Sequence, residues 1–282
     1  MTTTYQPASP MWCAGCGHFG VQAALVAALR TLAIPPHEVI VLAGIGCAGT
    51  IQNNLGTYGY HALHGRVLPA ATGVHLANPH LTVIGAGGDG DGYAIGMGHL
   101  VHTFRRNPSF TYLVMNNGIY GLTKGQDSPT RGKHDGVVDP QPIDAVTLGL
   151  SIPASTFIAR GFVRWADQLN RLTVAALEHA RAGRGLAFLE VLSPCVTYND
   201  MYPSWEATLH DVDADPDHDP SDRSGAFRIA MGLSLQGRMA VGLIYRAEPA
   251  AAQAARPVPA MEDIDPLRHE SRYREIMDGY LV

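Results

Sequence analysis

The chain has 282 residues, 46% of them hydrophobic, which is enough for one large core or two small ones. Its 20 basic and 25 acidic residues give a net charge of −5, which argues against a nucleic-acid-binding function. No lysine or arginine precedes Arg30, and no apolar run reaches the roughly 18 residues of a membrane span. We therefore expect a cytoplasmic protein without a signal peptide or a membrane anchor.

Short runs rich in β-branched and aromatic residues alternate with longer helical patterns along most of the chain. Strands are predicted at 38–44, 81–86, 110–116, 155–160 and 186–192, and helices at about 17–31, 67–77, 92–106 and 165–182. This alternation is typical of an α/β fold with a mostly parallel sheet and helices on both faces. Such folds bind ligands beyond the carboxyl ends of their strands.

The regular alternation ends near residue 200. An acidic stretch follows at 211–222, and one more helix and strand are predicted at 225–235 and 239–246 before a polar tail. We therefore divide the chain into a ligand-binding domain over residues 1–200 and a C-terminal arm over residues 201–282. The arm is expected to pack on this domain or on a partner subunit.

The stretch GGDGDG, residues 87–92, places Asp89 and Asp91 among glycines directly after a predicted strand. A glycine-rich turn at a strand end offers backbone N–H groups to a phosphate, but a carboxylate beside that phosphate would repel it. The glycine spacing also differs from the dinucleotide fingerprint G-x-G-x-x-G. A divalent cation held by the carboxylate and by phosphate oxygens resolves the conflict. For Asp91 we favour a cap of the following helix over a contact with the ligand.

Asn117 stands at the end of the next predicted strand, 28 residues after Asp89. The Asp89 carboxylate, the Asn117 amide oxygen and the backbone carbonyl of Ile119 would supply oxygen ligands to a magnesium ion, with room left for a diphosphate. The pattern resembles the thiamine-diphosphate motif, which opens with GDG and closes with an asparagine pair at this distance.

The chain contains four cysteines. Cys13 and Cys16 form a C-x-x-C pair before the first predicted helix, and Cys47 and Cys195 each follow a predicted strand. In a reducing compartment such cysteines are metal ligands or catalysts rather than disulfides. Four thiolates suit zinc or a [4Fe–4S] cluster, and the two distant single cysteines favour the cluster modestly. Unrelated buried cysteines are the third interpretation.

From residue 12 to about residue 200, the chain resembles the β subunits of the 2-oxoacid:ferredoxin oxidoreductases. The matching stretches are WCAGCGHFG, GIGCAG, TYGYHALHGRVLPAATG, GGDGDGYAIGMGH, NNGIYGLTKGQDSPT and SPCVT. The resemblance implies the diphosphate-binding domain of the thiamine-diphosphate-binding fold, with thiamine diphosphate, Mg²⁺ and a [4Fe–4S] cluster as cofactors. The implied cluster ligands are Cys13, Cys16, Cys47 and Cys195. The implied magnesium ligands are Asp89, Asn117 and the carbonyl of Ile119.

The resemblance also implies a wider set of site residues. Lys124, in the LTKGQ loop, and His64 are the candidate catalytic residues, although a solvated loop lysine is an equally good interpretation of Lys124 from the sequence alone. Thr50 departs from the family pattern, in which a basic residue is common beside the cluster cysteine. The implied cofactor-binding residues are Gly46, Cys47, Ala48, His64, Gly88, Asp89, Gly90, Asp91, Asn117, Ile119, Tyr120, Gly121, Leu122 and Thr123.

The implied reaction is the oxidative decarboxylation of a 2-oxoacid with coenzyme A to acyl-CoA, CO₂ and reduced ferredoxin. In this family an α subunit carries the glutamate that activates thiamine diphosphate, so we expect activity only with that partner. The LTKGQ loop favours 2-oxoglutarate, whereas Thr50 removes one possible partner of its distal carboxylate; pyruvate or a branched-chain 2-oxoacid is the alternative. A non-catalytic iron–sulfur electron-transfer subunit would leave Asp89 and Asn117 unexplained, and a cluster-free thiamine enzyme would leave the cysteines unexplained.

Overall fold

The computed structural model describes residue 5 and residues 9–131, 141–247 and 266–279. The strands are β1 (Val39–Ala43), β2 (Tyr58–His61), β3 (Thr82–Gly88), β4 (Thr111–Asn116), β5 (Ile119–Tyr120), β6 (Gln126–Asp127), β7 (Phe157–Phe162), β8 (Ala187–Leu192), β9 (Leu209–Asp211) and β10 (Met239–Arg246). The α-helices are α1 (His18–Thr31), α2 (Val67–Ala77), α3 (Met97–Arg106), α4 (Ala145–Leu150), α5 (Ala166–Arg181), α6 (Tyr202–Thr208), α7 (Arg223–Leu235) and α8 (Pro266–Asp278).

One eight-stranded sheet organises the fold, in the order β2-β1-β3-β4-β8-β7-β10-β9. The six strands from β2 to β7 in this order are all parallel. β10 runs antiparallel to β7 and parallel to β9, and β5 and β6 form a separate small hairpin. The predicted α/β fold with a mostly parallel sheet is confirmed.

Helices cover both faces of this sheet. α1 and α5 pack on one face, where their apolar residues meet alternate side chains of β1 such as Val41. On the other face, α2, α3, α4 and α7 form a second core that includes Leu42. Neighbouring residues of β1 reach different cores because successive side chains of a strand point to opposite faces.

The predicted helix over 92–106 is interrupted. A π-helical turn, Asp91–Ile95, comes first, and α3 begins only after Gly96. A side chain at Gly96 would place its Cβ 2.5 Å from the carbonyl oxygen of Asp91, so the chain needs glycine at this close approach. Single π-helical turns of this kind are frequent at functional sites.

The C-terminal residues contribute β9 and β10 to the same sheet. The division into a domain over 1–200 and an arm over 201–282 stays a prediction. Among the described residues, no helix combines the length and the apolar composition needed to cross a membrane.

β1 occupies the topological switch point of the sheet. The chain leaves β1 for β2 on one side and returns as β3 on the other. The loops that follow β1 and β3 therefore diverge and leave a crevice at the carboxyl ends of these strands, which is where ligands bind in such sheets. The motifs around Cys47, Asp89 and Asn117 all lie at this edge.

Candidate active site

Asp89 directly follows β3 and is 1% exposed. Its Oδ2 accepts hydrogen bonds from the hydroxyls of Ser128 and Thr130, the latter at 2.5 Å, and its Oδ1 accepts one from the backbone N–H of Asn117 at 3.4 Å. Burial raises the pKa of Asp89, and these hydrogen bonds oppose that increase. Such a carboxylate, removed from water and aimed by hydroxyl donors, is suited to a cation.

The loop after β4 places Asn117 and Ile119 beside Asp89. Gly118 adopts φ = +70°, which glycine tolerates without strain, and its N–H donates to Asn116 Oδ1 at 3.0 Å. The Asn117 amide oxygen accepts from the N–H of Ile119 at 3.1 Å, and the Asn117 carbonyl accepts from Asn199 Nδ2 at 3.0 Å. The structure thus brings together the two halves of the magnesium motif that the sequence predicts.

A cavity opens where β1, β3 and β4 end. The residues that line it are Ile45, Gly46, Cys47, Ala48, His64, Gly88, Asp89, Gly90, Asp91, Met115, Asn117, Ile119, Tyr120, Gly121, Leu122 and Thr123. The predicted cofactor-binding residues all belong to this lining, and Ile45 and Met115 are additions that the motifs did not indicate.

The glycines of the lining have physical reasons to be glycine. An ideal Cβ on Gly90 would lie 2.4 Å from the ring of Tyr120, whose hydroxyl donates to the Gly90 carbonyl at 3.1 Å. Gly46 adopts φ = +108°, and an ideal Cβ there would meet nothing within 4 Å. A carboxylate, an amide and a carbonyl oxygen beside bare glycine backbone form a donor set that fits a magnesium ion and a diphosphate.

The prediction that Asp91 caps the following helix is wrong. Its Oδ1 accepts from the N–H of Ile45 at 3.0 Å, from the N–H of Gly65 at 2.8 Å and from His64 Nδ1 at 2.8 Å. Its Oδ2 is buried without a hydrogen-bond partner among the described residues. Asp91 therefore ties the loops that follow β1 and β2 to the GGDGDG turn.

The contact with Asp91 also orients His64. A carboxylate oxygen only accepts, so Nδ1 carries the hydrogen and Nε2 of the neutral ring is free to accept. The His64 side chain is 38% exposed and lines the cavity. His64 can therefore present a hydrogen-bond acceptor to a molecule bound there.

The four cysteines lie together beside this cavity, and all are free thiols. An ideal Cβ on Gly121 would lie 3.4 Å from Cys47 Sγ and 3.7 Å from Cys195 Sγ, so these two sulfurs flank Gly121. The C-x-x-C turn joins them because the N–H of Gly17 donates to the Pro194 carbonyl at 3.1 Å.

The electrostatics of the thiols reflect the same grouping. Burial, together with the charges of the other three cysteines, raises the pKa of Cys16 to about 11. A cation or an iron–sulfur cluster would offset this effect, because coordination deprotonates thiols. Among the described residues, no group of three or more His, Cys, Asp or Glu side chains is placed to hold a metal ion. The donor set of four thiols fits a [4Fe–4S] cluster.

Lys124 and Thr50 lie at the edges of these sites. Lys124 is exposed in the turn between β5 and β6, next to Thr123, which lines the cavity. The Thr50 hydroxyl donates to the Cys47 carbonyl at 2.9 Å, so this residue stabilises the loop that carries Cys47.

Sequence reasoning missed the polar residues behind the site. Ser128 and Thr130, which hold Asp89, belong to a matched stretch but carry no periodic signal. Arg160 and Glu190 lie in β7 and β8 and are 5% and 1% exposed. The sequence does carry a signal for these two residues, because each is a charged residue inside an otherwise apolar strand. Such residues are rarely buried unless they are paired, so the pattern predicts a buried ion pair.

Comparisons with known proteins agree with this geometry. Residues 45–191 match the thiamine pyrophosphate enzyme family, C-terminal TPP binding domain. The chain is 43% identical over 216 residues to 2-oxoacid:ferredoxin oxidoreductase 1, subunit beta, of Aeropyrum pernix. This alignment covers 74% of this chain and 67% of that protein. It is 38% identical over 196 residues to the 2-oxoglutarate oxidoreductase subunit KorB of Mycobacterium tuberculosis, and this alignment covers 67% of this chain and 51% of that protein.

A solved structure gives the same result. The 2-oxoglutarate:ferredoxin oxidoreductase from Magnetococcus marinus, with 2-oxoglutarate, coenzyme A and succinyl-CoA bound, superposes with a TM-score of 0.79 at 31% identity. The match covers 97% of this chain and 89% of that chain. The chain therefore belongs to the β subunits of the 2-oxoacid:ferredoxin oxidoreductases, within the thiamine pyrophosphate enzyme family.

Proposed function

We propose that this β subunit carries the thiamine diphosphate, Mg²⁺ and [4Fe–4S] sites of its enzyme and works in a heterodimer with an α subunit. The observation that supports this most is the position of Cys47, which lines the cavity beside Asp89 and also belongs to the group of four thiols. One loop would thus contact both the thiamine site and the cluster, as electron transfer between them requires.

The residues of the chain have separate tasks in this proposal. Thiamine diphosphate, when bound, supplies the electron sink for decarboxylation of a 2-oxoacid, and the cluster accepts electrons. Asp89, Asn117 and the Ile119 carbonyl would hold Mg²⁺. His64, with Nδ1 held by Asp91, offers Nε2 to accept a proton or a hydrogen bond in the cavity.

The overall reaction would convert a 2-oxoacid, coenzyme A and oxidised ferredoxin into acyl-CoA, CO₂ and reduced ferredoxin. We favour 2-oxoglutarate as the substrate because the solved relative holds 2-oxoglutarate and succinyl-CoA. Lys124 is our candidate partner for its distal carboxylate. The α subunit would contribute the glutamate that activates thiamine diphosphate, since the chain belongs to the β subunits of this family.

The experiment is anaerobic co-purification with the α subunit, followed by metal analysis and assays of 2-oxoacid-dependent ferredoxin reduction. We expect about four irons per β chain, as a cubane cluster bound by four cysteines requires, and succinyl-CoA formation from 2-oxoglutarate. Stoichiometric zinc without iron would contradict the cluster. A complex that binds no thiamine diphosphate but transfers electrons would favour an electron-transfer subunit instead.

Two variants separate the two sites. Cys195→Ser should lose iron but retain Mg²⁺-dependent binding of thiamine diphosphate, because Cys195 does not line the cavity. Asp89→Ala should show the opposite pattern, with iron retained and thiamine diphosphate lost. Loss of both groups in both variants would argue against two distinct sites.

A further inference from the structure

Glu190 is a buried carboxylate in β8, between β4 and β7, and it is 1% exposed. It accepts hydrogen bonds from the Tyr93 hydroxyl at 2.8 Å, from Asn116 Nδ2 at 3.0 Å and from Arg160 Nε at 2.5 Å. A charge in the interior of a sheet is costly unless it is paired and hydrogen-bonded. The identity of its three donors indicates why the chain keeps it.

Two of these donors belong to the two halves of the candidate magnesium site. Tyr93 lies in the π-helical turn that follows Asp89, and Asn116 directly precedes Asn117. One carboxylate therefore holds the GGDGDG turn and the asparagine loop from inside the sheet.

The contact with Asn116 continues to the ligands themselves. Asn116 Oδ1 accepts from the N–H of Gly118 at 3.0 Å and also lies 3.0 Å from the Thr130 hydroxyl oxygen. The same Thr130 hydroxyl lies 2.5 Å from Asp89 Oδ2. A continuous series of polar contacts, partly buried at Thr130, thus connects Glu190 to Asp89.

The third donor supplies the counter-charge. Arg160 is 5% exposed, and its Nη2 also lies 2.5 Å from Asp144 Oδ1. Although burial opposes the charge on Arg160, Glu190 and Asp144 raise its pKa, so the guanidinium stays protonated. Hydrogen bonds to a guanidinium are shorter and stronger than neutral ones, so the contact with Arg160 fixes the position of the Glu190 side chain.

We propose that Glu190 is a positioning residue for the Mg²⁺ and thiamine diphosphate site, fixing the separation of Asp89 from Asn117 by holding Tyr93 and Asn116. This inference rests on the proposed cofactor assignment. Residues that orient metal ligands change metal affinity by roughly 10- to 100-fold when they are removed, so the effect is measurable without turnover.

The test compares two variants with a matched control. Glu190 Oε1 accepts from both Tyr93 and Asn116, and Oε2 accepts from Arg160. In Glu190→Gln one of these two oxygens becomes an NH₂ donor, so the side chain loses either the contact with Arg160 or the contacts with Tyr93 and Asn116. Because that variant leaves Arg160 poorly paired and can fail to fold, Tyr93→Phe is the second variant, which removes only the hydroxyl. Asp144→Asn is the control: it also weakens the pairing of Arg160, but among the described residues Asp144 bonds Arg160, Val146 and Thr147 rather than either half of the site.

Fluorescence measures the binding of thiamine diphosphate to the full-length chain in complex with its α subunit. The measurement is repeated over a series of Mg²⁺ concentrations. Glu190→Gln should raise the Mg²⁺ concentration for half-saturation by roughly 10- to 100-fold, with excess Mg²⁺ restoring binding. Tyr93→Phe should raise it by about threefold or more, and Asp144→Asn by less than about twofold. Iron content should stay constant in all three variants.

Unchanged Mg²⁺ dependence in both Glu190→Gln and Tyr93→Phe would overturn the inference. An equal shift in Asp144→Asn would also overturn it, because the effect would then be general loosening of the buried charge pair. The wild-type complex tests the proposed function separately. If it binds no thiamine diphosphate at any Mg²⁺ concentration, the cofactor assignment fails and this inference fails with it.

Discussion

Replacing Asp89 by asparagine removes one negative charge from the candidate magnesium site while keeping the shape of the side chain. Loss of residues that only orient a metal ligand already costs up to roughly 100-fold in affinity. Asp89 would contact the ion directly, so we expect Mg²⁺-dependent binding of thiamine diphosphate to weaken by more than about 100-fold, or about 2.7 kcal/mol.

The folded chain itself should tolerate this change. Asp89 is 1% exposed and burial raises its pKa, so its charged form is unfavourable in the absence of a cation. The Ser128 and Thr130 hydroxyls can rotate to bond an amide. We therefore expect the free energy of unfolding of the cofactor-free chain to fall by less than about 1 kcal/mol.

The assay titrates the cofactor-depleted complex with thiamine diphosphate at fixed Mg²⁺ and measures iron and urea unfolding in parallel. Asp91→Asn is the control, because Asp91 lies in the same turn and is equally buried but bonds Ile45, His64 and Gly65 instead. Asp91→Asn should weaken the binding of thiamine diphosphate by less than Asp89→Asn does. Binding by Asp89→Asn within about threefold of wild type, or an equal loss in Asp91→Asn, would refute the ligand assignment.

Two further predictions test the core and the thiols. Burial lowers the pKa of His179 from 6.5 to about 4. As the pH drops from 6.5 to 4, the unfolded chain therefore binds this proton before the folded chain does, and the free energy of unfolding should fall by roughly 3 kcal/mol. His179→Gln should flatten that decline in urea titrations; an unchanged slope contradicts it. Gly121→Ala adds a methyl group between the sulfurs of Cys47 and Cys195, so iron per chain should fall, whereas Gly73→Ala, whose Cβ meets nothing within 4 Å, should keep it. Full iron content in Gly121→Ala would contradict this placement of the cluster.

The elements that the sequence predicts well have strong local patterns. The six predicted strands are all present because each is a largely apolar run buried in the sheet. β2 was missed since its four residues, Tyr58–His61, are all exposed at the edge of the sheet and include a glycine. β5 and β6 have two residues each, too few to show any periodicity.

The residues of the site likewise fall into those that the sequence predicts and those that it does not. Asp89, Asn117, Cys47 and Cys195 follow strands, and the parallel sheet brings strand ends to one edge, so their proximity could be predicted. The capping prediction for Asp91 was wrong because it considered only neighbouring residues. The Asp91 carboxylate instead accepts from donors 26, 27 and 46 residues away in the chain. The bonds of Glu190 span 30 to 97 residues and depend on strand register, which no local pattern contains.

Lys124 has an unfavourable backbone conformation. Its φ is +73°, in the left-handed region where lysine costs roughly 1–2 kcal/mol relative to glycine. The turn imposes this, because the N–H of Lys124 bonds the Gly121 carbonyl at 3.1 Å and the N–H of Gly125 bonds the Tyr120 carbonyl at 3.0 Å. A lysine kept at a position that suits glycine points to a function for its side chain.

Lys124→Gly should therefore raise the free energy of unfolding by about 1 kcal/mol while lowering kcat/KM for 2-oxoglutarate by roughly 10- to 100-fold, the worth of one charge-assisted hydrogen bond to the distal carboxylate. Lys124→Ala should show the same kinetic loss without the gain in stability, because alanine does not relieve the left-handed strain. With pyruvate, which lacks a distal carboxylate, both variants should lose little. Equal losses on both substrates would assign Lys124 to the shared carboxylate or to the cofactor, and a wild-type preference for pyruvate or a branched-chain 2-oxoacid would contradict 2-oxoglutarate as the substrate.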